Sequence, residues 1–281
     1  MDSTVQKEKA ERLRSLHYGD NMLVLPNIWS PLGARILEKK GYPAVATASA
    51  AISAALGYED GEKIKRATAL DVIERIARAV DVPVTADIET GYGESLSELE
   101  ETVFQVLGTG VAGINIEDGL EAGGALRDID EQCQRIALVR RAAAARNIPL
   151  VINARIDSYF SSSFSTREDA TEDAVARARA YSGAGADCVY PMGPGDEDTV
   201  RVLKNRIEGP LNILVTPNAA PLAVLQKLGV NRVSFGPFIF RSCMRKFADI
   251  ADSIGRGGDY WCFSDMMSRA EVEEFLISGA E

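Results

Sequence analysis

The chain has 281 residues, of which 46% are hydrophobic, so one large domain or two small ones fit the length and a sizeable core can form. Its formal net charge of −10 argues against a nucleic-acid surface, which usually requires a basic face. No apolar run approaches the roughly 20 residues of a membrane-spanning helix, and the charged N-terminal segment lacks the apolar core of a signal peptide. We therefore expect a cytoplasmic protein with neither nucleic acid nor membrane as partner.

Short apolar runs rich in Val and Ile alternate along the chain with longer amphipathic stretches. Eight such runs occur, at residues 22–26, 43–49, 82–89, 111–118, 149–157, 186–191, 211–216 and 231–236. Near-continuous apolar strands are typical of parallel sheets covered on both faces, and several intervening segments begin at Ser or Asp and end at Gly or Asn, as helices do. The pattern predicts an α/β fold, a (β/α)₈ TIM barrel, with a doubly wound open sheet as the alternative.

No linker-like segment divides the sequence, so we expect residues 1–281 to form a single barrel domain. Residues 255–281 follow the eighth predicted helix and contain glycines that permit a hinge, followed by apolar residues that need a surface to pack on. This stretch predicts an extra C-terminal helix. Two alternatives stay open for it: exchange onto a neighbouring subunit, or packing on its own barrel.

Polar residues recur at the carboxyl ends of the predicted strands, where barrel enzymes place their active sites. The candidate site positions, in chain order, are Thr47, Ala48 and Ser49 after the second strand, Asp87 and Glu89 after the third, Glu117 after the fourth, Arg155 after the fifth and Asn218 after the seventh. Among these, Thr47, Ala48, Ser49, Asp87, Arg155 and Asn218 are our substrate-binding candidates. Side chains alternate along a strand, so the two acids of the third strand share a face. We expect these acids to converge at the barrel mouth.

Converging carboxylates raise one another's pKa unless a cation neutralises them, and Mg²⁺ prefers such oxygen ligands. The alternative is that each acid caps a turn or pairs with an arginine. Arg155 fits a substrate carboxylate or phosphonate, because its guanidinium binds such groups through two parallel hydrogen bonds. The alternative for Arg155 is a salt bridge to one of these acids. The small residues 47–49 offer backbone N–H groups to an oxyanion, or simply pack.

Several catalytic classes lack their usual residues. His17 is the only histidine and precedes the first strand, which makes a Ser-His-Asp triad or a His₃ zinc site improbable. The four cysteines form no CxxC pair, and no lysine falls in a predicted strand, as a Schiff-base enzyme would require. Chemistry assisted by a metal ion is left.

Five segments carry a family resemblance: "TASAAISAALGYEDGE", "ADIETGYG", "GVAGINIEDG", "INARIDSY" and "GADCVYPMG". In this order they resemble the isocitrate lyase/phosphoenolpyruvate mutase superfamily, over roughly residues 20 to 240. The resemblance implies a Mg²⁺-dependent barrel enzyme, with Mn²⁺ as the alternative metal, that makes or breaks C–C or P–C bonds beside a 2-oxo acid through a metal-stabilised pyruvate enolate. It also implies a homo-oligomer, a dimer or a tetramer with exchanged C-terminal helices.

Carried over by position, the resemblance assigns a role to each candidate residue. Asp87 would be the direct metal ligand, and Glu89, Asp60 and Glu117 would hold the metal's waters. Thr47, Ala48 and Ser49 would bind the carboxylate and enolate oxygen of the substrate, and Arg155 its anionic end.

The predicted loop at residues 118–131 departs from the superfamily pattern. Isocitrate and methylisocitrate lyases carry a Lys-Lys/Arg-Cys-Gly-His loop there, whereas this loop has no Lys, Cys or His, and Met192 stands where lyases usually have a glutamate. We expect a carbon–carbon lyase or decarboxylase acting on a small 2-oxo acid, since loss of CO₂ needs no base. Arg155, Glu117 and Tyr92 are the catalytic candidates, with Tyr190 as another possible base. The alternatives are P–C chemistry on a phosphonopyruvate-like substrate, or a metal- and oxo-acid-binding barrel with little activity. The loop's glycines fit a lid or a plain flexible connection.

Overall fold

The computed structural model describes residues 2–120, 124–257 and 260–276. The strands are β1 (Leu23–Leu25), β2 (Asn27–Ile28), β3 (Val45–Thr47), β4 (Val84–Asp87), β5 (Gly113–Glu117), β6 (Val151–Ile156), β7 (Cys188–Pro191), β8 (Asn212–Leu214) and β9 (Arg232–Ser234). The α-helices are α1 (Ser3–His17), α2 (Pro31–Lys39), α3 (Ser49–Ala55), α4 (Arg66–Arg78), α5 (Leu96–Gly108), α6 (Ile129–Ala145), α7 (Arg167–Gly183), α8 (Glu197–Arg206), α9 (Leu222–Lys227), α10 (Phe238–Gly255) and α11 (Arg269–Leu276).

The strands close into a parallel barrel. One run of six is ordered β2-β3-β4-β5-β6-β7, and the other three strands are ordered β1-β9-β8. Pro26 alone separates β1 from β2, and because proline has no N–H to donate, it interrupts the ladder of a single barrel strand. This first strand thus pairs with β9 through one half and with β3 through the other, while a bridge from Val189 to Leu211 joins β7 to β8. The predicted eight-stranded barrel is confirmed.

Capping side chains begin most of the predicted helices. Ser30 accepts a hydrogen bond from the N–H of Gly33 in α2, and Ser95 and Glu98 form a reciprocal capping box in α5. Asp128 and Asp196 accept backbone N–H groups at the starts of α6 and α8. Each cap satisfies donors that have no partner inside the helix, so the boundaries follow from the local sequence.

Helix α1 was not expected from the sequence, and it packs against the barrel near the start of β5. Gln6 donates from Nε2 to the carbonyls of Leu107 and Val111, each at 2.9 Å. The Leu13 side chain lies so close to Gly113 that a Cβ there would meet its Cδ2 at 2.8 Å. Glycine is therefore required where α1 approaches the barrel.

The two faces of the barrel strands differ in character. Residues that alternate towards the helices are aliphatic and fully buried, among them Ile114, Ile116 and Ile152. Residues that alternate towards the barrel interior include the buried polar groups Thr85, Asn115, Asn153, Asn212 and Arg232. The aliphatic face supplies the continuous core between sheet and helices, while the polar face leads up to the carboxyl ends of the strands.

The C-terminal extension rests on its own barrel in this structure, one of the two alternatives left open by the sequence. Arg35 of α2 donates to the carbonyl of Leu276 at 2.5 Å, and Lys39 donates to the carbonyl of Glu274. Of the expected extension 255–281, residues 258, 259 and 277–281 lie outside the described residues, as do residues 121–123 of the expected lid. None of the helices in the described ranges is both long and apolar enough to cross a bilayer.

Candidate active site

A cavity of about 680 Å³ opens at the carboxyl ends of the barrel strands. Six residues predicted for the site line it: Ala48, Ser49, Asp60, Asp87, Arg155 and Asn218. The other four predicted residues, Thr47, Glu89, Tyr92 and Glu117, are not among the residues that line it. Thr47 and Glu117 contact the lining residues Asp87 and Arg155, while Glu89 and Tyr92 are bonded to each other. The structure therefore brings most of the predicted set together at one place, in two layers.

Asp87, the last residue of β4, is held in a fixed orientation by the segment after β3. Its Oδ2 accepts hydrogen bonds from the Ser49 hydroxyl at 2.8 Å and from the Ser49 backbone N–H at 3.2 Å. Its own N–H donates to Thr47 Oγ1 at 2.9 Å. Thr47 is fully buried, so its contact here is with Asp87 and not with the cavity.

Negative charge accumulates around Asp87. Burial and then the charge of Asp87 raise the pKa of Glu89 to about 7, and the same two causes raise the pKa of Asp60 at the cavity wall. Glu89 is only 2% exposed and accepts hydrogen bonds from the Tyr92 hydroxyl at 3.0 Å and from the Glu62 N–H. A divalent cation at this position would relieve the crowding.

The backbone around Glu89 adopts an uncommon conformation. Glu62, Glu89 and Tyr92 all have positive φ, at 58°, 53° and 52°. Such values are unfavourable for residues with a side chain, and they persist where surrounding contacts enforce them. Here Glu62 Oε1 accepts from the Thr90 hydroxyl at 2.6 Å and from the Tyr92 N–H at 2.8 Å. These bonds tie the loop that carries Asp60 to the end of β4.

Arg155 lies in an ion-pair cluster at the cavity wall. Its Nη1 is 2.5 Å from Glu117 Oε2, and its Nε donates to Asp157 Oδ1 at 2.7 Å. Burial raises the pKa of Glu117 well above its ordinary value, opposed by the charge of Arg155. Burial alone would lower the pKa of Arg155, but the charges of Glu117 and Asp157 outweigh burial and raise that pKa. The salt bridge considered from the sequence is thus present, and Arg155 lines the cavity at the same time.

Asp118, the acid that follows Glu117, is turned away from the cavity. It is fully buried, and its Oδ2 accepts from the Tyr181 hydroxyl at 2.6 Å and from Arg177 Nη1 at 3.0 Å. Its Oδ1 accepts from the Asp157 N–H at 2.9 Å. Asp118 therefore fastens α7 and the end of β6 to the loop after β5.

The two tyrosines considered as acid/base groups differ in position. Tyr190 lines the cavity, and burial raises its pKa to about 12, so at neutral pH it is a hydrogen-bond donor. Tyr92 donates to Glu89, and burial followed by the charge of Glu89 raises its pKa. A catalytic role for Tyr92 stays a prediction, and the geometry gives it a structural contact.

The predicted metal ligands do not form a closed cage. No group of three or more His, Cys, Asp or Glu side chains in the described ranges is arranged to hold a metal ion by itself. Asp60 and Asp87 both line the cavity, whereas Glu89 and Glu117 do not. The ligand set stays a prediction.

Several lining residues were not anticipated from the sequence. Ser234 comes from β9, Phe238 and Arg241 from the first turn of α10, and Arg167 from the start of α7, where it pairs with Asp196. The helix residues reach the cavity because their helices begin at the carboxyl end of the barrel. No alternation pattern in the sequence marked these helix residues, because they do not belong to a strand.

The fold and the site define an enzyme of the barrel class, with a cavity of carboxylates and arginines at the carboxyl ends of its strands. A profile of the phosphoenolpyruvate phosphomutase family matches residues 13–255, and the chain belongs to that family. The isocitrate lyase/phosphoenolpyruvate mutase superfamily expected from the motifs is confirmed. Relatives are named as carbon–carbon lyases, which confirms the expected enzyme class.

Individual relatives carry different names. The chain is 30% identical over 286 residues to the probable 2-methylisocitrate lyase 2 of Corynebacterium glutamicum, covering 96% of this chain and 88% of that protein. It is 30% identical over 217 residues to the oxaloacetate decarboxylase of Paraburkholderia xenovorans, and the match covers 74% of this chain and 69% of that protein. The solved structure of a candidate phosphonomutase from Burkholderia cenocepacia shares 38% identity with a TM-score of 0.83, covering 88% of this chain and 99% of that one. The similarity establishes the family, not the reaction.

Proposed function

We propose that the protein is a Mg²⁺-dependent carbon–carbon lyase of the decarboxylase type, acting on a small 2-oxo dicarboxylate. The cavity wall carries the proposal: it presents Asp60, Asp87 and Arg155, and none of its described residues is Cys, His or Lys. Release of CO₂ from the carbon next to an oxo group leaves the bonding electrons on the remaining oxo acid and requires no side chain to remove a proton. A lyase that begins by deprotonating a hydroxyl requires such a base.

The residues present fit a magnesium ion. All the candidate ligands are carboxylates, the hard oxygen donors that Mg²⁺ prefers, and the charge of Asp87 contributes to the raised pKa of both Asp60 and Glu89. Asp87 would hold the metal directly, with Asp60 and Glu89 bonded to its waters, and Mn²⁺ would be accepted by the same ligands. When bound, the metal would supply positive charge to stabilise the oxygen on which negative charge develops.

The chain's own side chains orient the substrate around that position. Ser49 fixes Asp87 through two hydrogen bonds, so the carboxylate needs no rearrangement when ligands bind. Arg155 presents a guanidinium to the cavity while Glu117 and Asp157 keep it in place. Tyr190, neutral at physiological pH, supplies a hydroxyl donor from the next strand.

A second anionic group on the substrate is favoured by a further arginine of the cavity wall. Arg241 lines the cavity, as does Arg167 in its ion pair with Asp196, and Asn218 and Thr216 add polar groups. A cavity of about 680 Å³ is larger than a three-carbon oxo acid requires. We therefore assign a 2-oxo dicarboxylate as the substrate class, with Arg241 facing the second carboxylate.

P–C bond chemistry on a phosphonopyruvate-like substrate is the second candidate. The similarity to the candidate phosphonomutase favours it, and the same arginines would accept a phosphonate. A barrel that binds metal and oxo acid without turnover is the third outcome that an assay must separate.

The single-domain organisation and the assembly are part of the proposal. We infer a homo-oligomer, a dimer or a tetramer, in which the apolar C-terminal segment contributes to contacts between subunits. Trp261 is 75% exposed and Tyr260 74% exposed, and both follow α10. Large apolar side chains at this exposure are typical of surfaces that meet another protein.

Calorimetric titration of oxalate, an oxo-acid mimic, with and without Mg²⁺ tests the site. We expect binding that requires Mg²⁺ and that is lost in Asp87→Ala, while the circular dichroism spectrum of that variant is unchanged. Asp71→Ala, an exposed acid on α4, is the matched control and should bind as the wild type does. Equal binding by Asp87→Ala would contradict the metal assignment.

A substrate panel tests the reaction. Formation of pyruvate and CO₂ from oxaloacetate, or of CO₂ and the correspondingly longer 2-oxo acid from 3-substituted oxaloacetates, supports the decarboxylase. Each rate is corrected by the rate with Asp87→Ala and Mg²⁺. Phosphate release from phosphonopyruvate without pyruvate formation from the dicarboxylates supports P–C chemistry. Oxalate binding with no turnover of any substrate supports a binding protein.

A further inference from the structure

A buried guanidinium lies in the barrel interior beneath the cavity. Arg232 on β9 has 0% exposure, and its Nε and Nη1 have no hydrogen-bond partner. Barrel interiors are usually filled by branched aliphatic side chains, and a buried cation with unmade hydrogen bonds costs stability. Packing alone therefore does not account for an arginine at this position.

A hydrogen bond from the Arg232 side chain points to the site. Its Nη2 donates to Asn115 Oδ1 at 3.2 Å, and Asn153 Nδ2 donates to the same oxygen at 2.8 Å. Because arginine has only donors, the Asn115 atom that faces it must be the oxygen, which fixes which way the amide is turned. The NH₂ group of Asn115 is therefore the end that is free to face the cavity, which Asn115 lines.

Asn115 lies beside the proposed metal ligand. It pairs directly with Asp87 in the register of β4 and β5, and both side chains point into the barrel. Neighbouring strands are about 4.8 Å apart, so a ligand held at Asp87 is within reach of the Asn115 amide. The charge of Arg232, bonded to the amide oxygen, polarises the group and strengthens its N–H donors.

We propose that Asn115 is a further substrate-binding residue, whose amide N–H groups donate to the anionic oxygens of the 2-oxo acid, and that Arg232 is a positioning residue which holds and polarises it. This inference rests on the proposed function and deepens it, since it adds a neutral donor to the carboxylate-rich wall. A donor that is already oriented stabilises negative charge on the ligand without rearrangement.

Oxalate titration in the presence of Mg²⁺ tests the inference in the full-length protein. Asn115→Leu removes the donor at similar volume and should weaken oxalate binding about tenfold or more, the usual range for a hydrogen bond to a charged group. Asn212→Leu, in the same interior and bonded to Ser234, is the matched control and should bind within about twofold of the wild type. Equal weakening in both variants, or in neither, would overturn the proposal.

A double-mutant cycle separates positioning from plain structural support. Arg232→Met should weaken binding several-fold in the wild-type background and Arg232→Lys should restore most of it, because the cation returns. In the Asn115→Leu background, Arg232→Met should have no further effect on oxalate affinity. If its effect persists there, Arg232 does not act through Asn115. If Arg232→Met does not fold, Arg232→Gln, which also removes the charge, gives the same comparison in the two backgrounds. Wild-type protein that binds no oxalate with Mg²⁺ would instead contradict the proposed function itself.

Discussion

Replacing Glu89 by glutamine should flatten the pH dependence of stability of the metal-free protein. Burial and the charge of Asp87 raise the pKa of this carboxyl from 4.5 to about 7 in the folded protein. A raised pKa means that the folded state prefers the protonated form, so the contribution to stability is complete below pH 4.5 and is lost as pH rises through 7. The shift corresponds to about 3 kcal/mol of unfolding free energy.

Urea unfolding followed by circular dichroism at pH 5, 6, 7 and 8 measures this effect, with EDTA present and the protein concentration fixed. The wild type should lose up to about 3 kcal/mol across this range through Glu89, and Glu89→Gln should lose correspondingly less. The glutamine keeps one carbonyl oxygen for the Glu62 N–H, so the loop contact is preserved in part. Glu100→Gln, an exposed glutamate on α5, is the matched control.

Magnesium supplies an independent arm of the same experiment. The ion competes with protons for the carboxylates, so its stabilising effect on the wild type should grow from pH 6 to pH 8. In Glu89→Gln this growth should be smaller. If the wild type and Glu89→Gln show superimposable pH profiles, the crowding of charge inferred around Asp87 is wrong.

Two further predictions concern Arg241 and the assembly. Arg241→Met should raise KM for a 2-oxo dicarboxylate about tenfold and change oxalate affinity less than twofold, because only the longer ligand reaches Arg241. The control is Arg201→Met, since Arg201 pairs with Glu197 on the surface of α8. Parallel losses of affinity for both ligands would contradict the position assigned to Arg241. Sedimentation equilibrium should show an oligomer that dissociates when residues 255–281 are removed, and an unchanged mass would refute the role given to that segment.

The barrel was predictable because its strands are near-continuous apolar runs and its helices carry caps that end the strand-to-helix loops. Helix α1 was not predictable from the sequence, because the segment is strongly charged and two of its four buried residues, Gln6 and His17, are polar. Short α3 was missed because the small residues of 49–55 give no clear periodicity. Both helices depend on what the barrel offers them to pack on.

The sequence allowed us to predict where the site residues lie but not which side chains they contact. Asp87, Ser49 and Arg155 lie at strand ends, and strand ends meet at one edge of a barrel. Whether Arg155 contacts substrate or acids depends on register, and β5 and β6 place Glu117 directly opposite it. Arg241 reaches the cavity from a helix, so no alternation pattern in the sequence indicates it.

The balance of charge around Asp87 explains why the proposed site combines a Mg²⁺ ion, the Asn115 amide and Arg241. Near Asp87, carboxylates outnumber guanidiniums: Arg155 and Arg232 stand against Asp60, Asp87, Glu89, Glu117 and Asp157. Arg155 is bonded to two of those acids, which hold its guanidinium at the cavity wall and offset part of its charge. An anionic oxo acid can approach Asp87 only if a divalent cation offsets the excess negative charge of these carboxylates. A neutral hydrogen-bond donor such as Asn115 then adds affinity without requiring another counter-ion. We assign the second carboxylate of the proposed substrate to Arg241, which lines the same cavity and forms no ion pair within the described part of the chain.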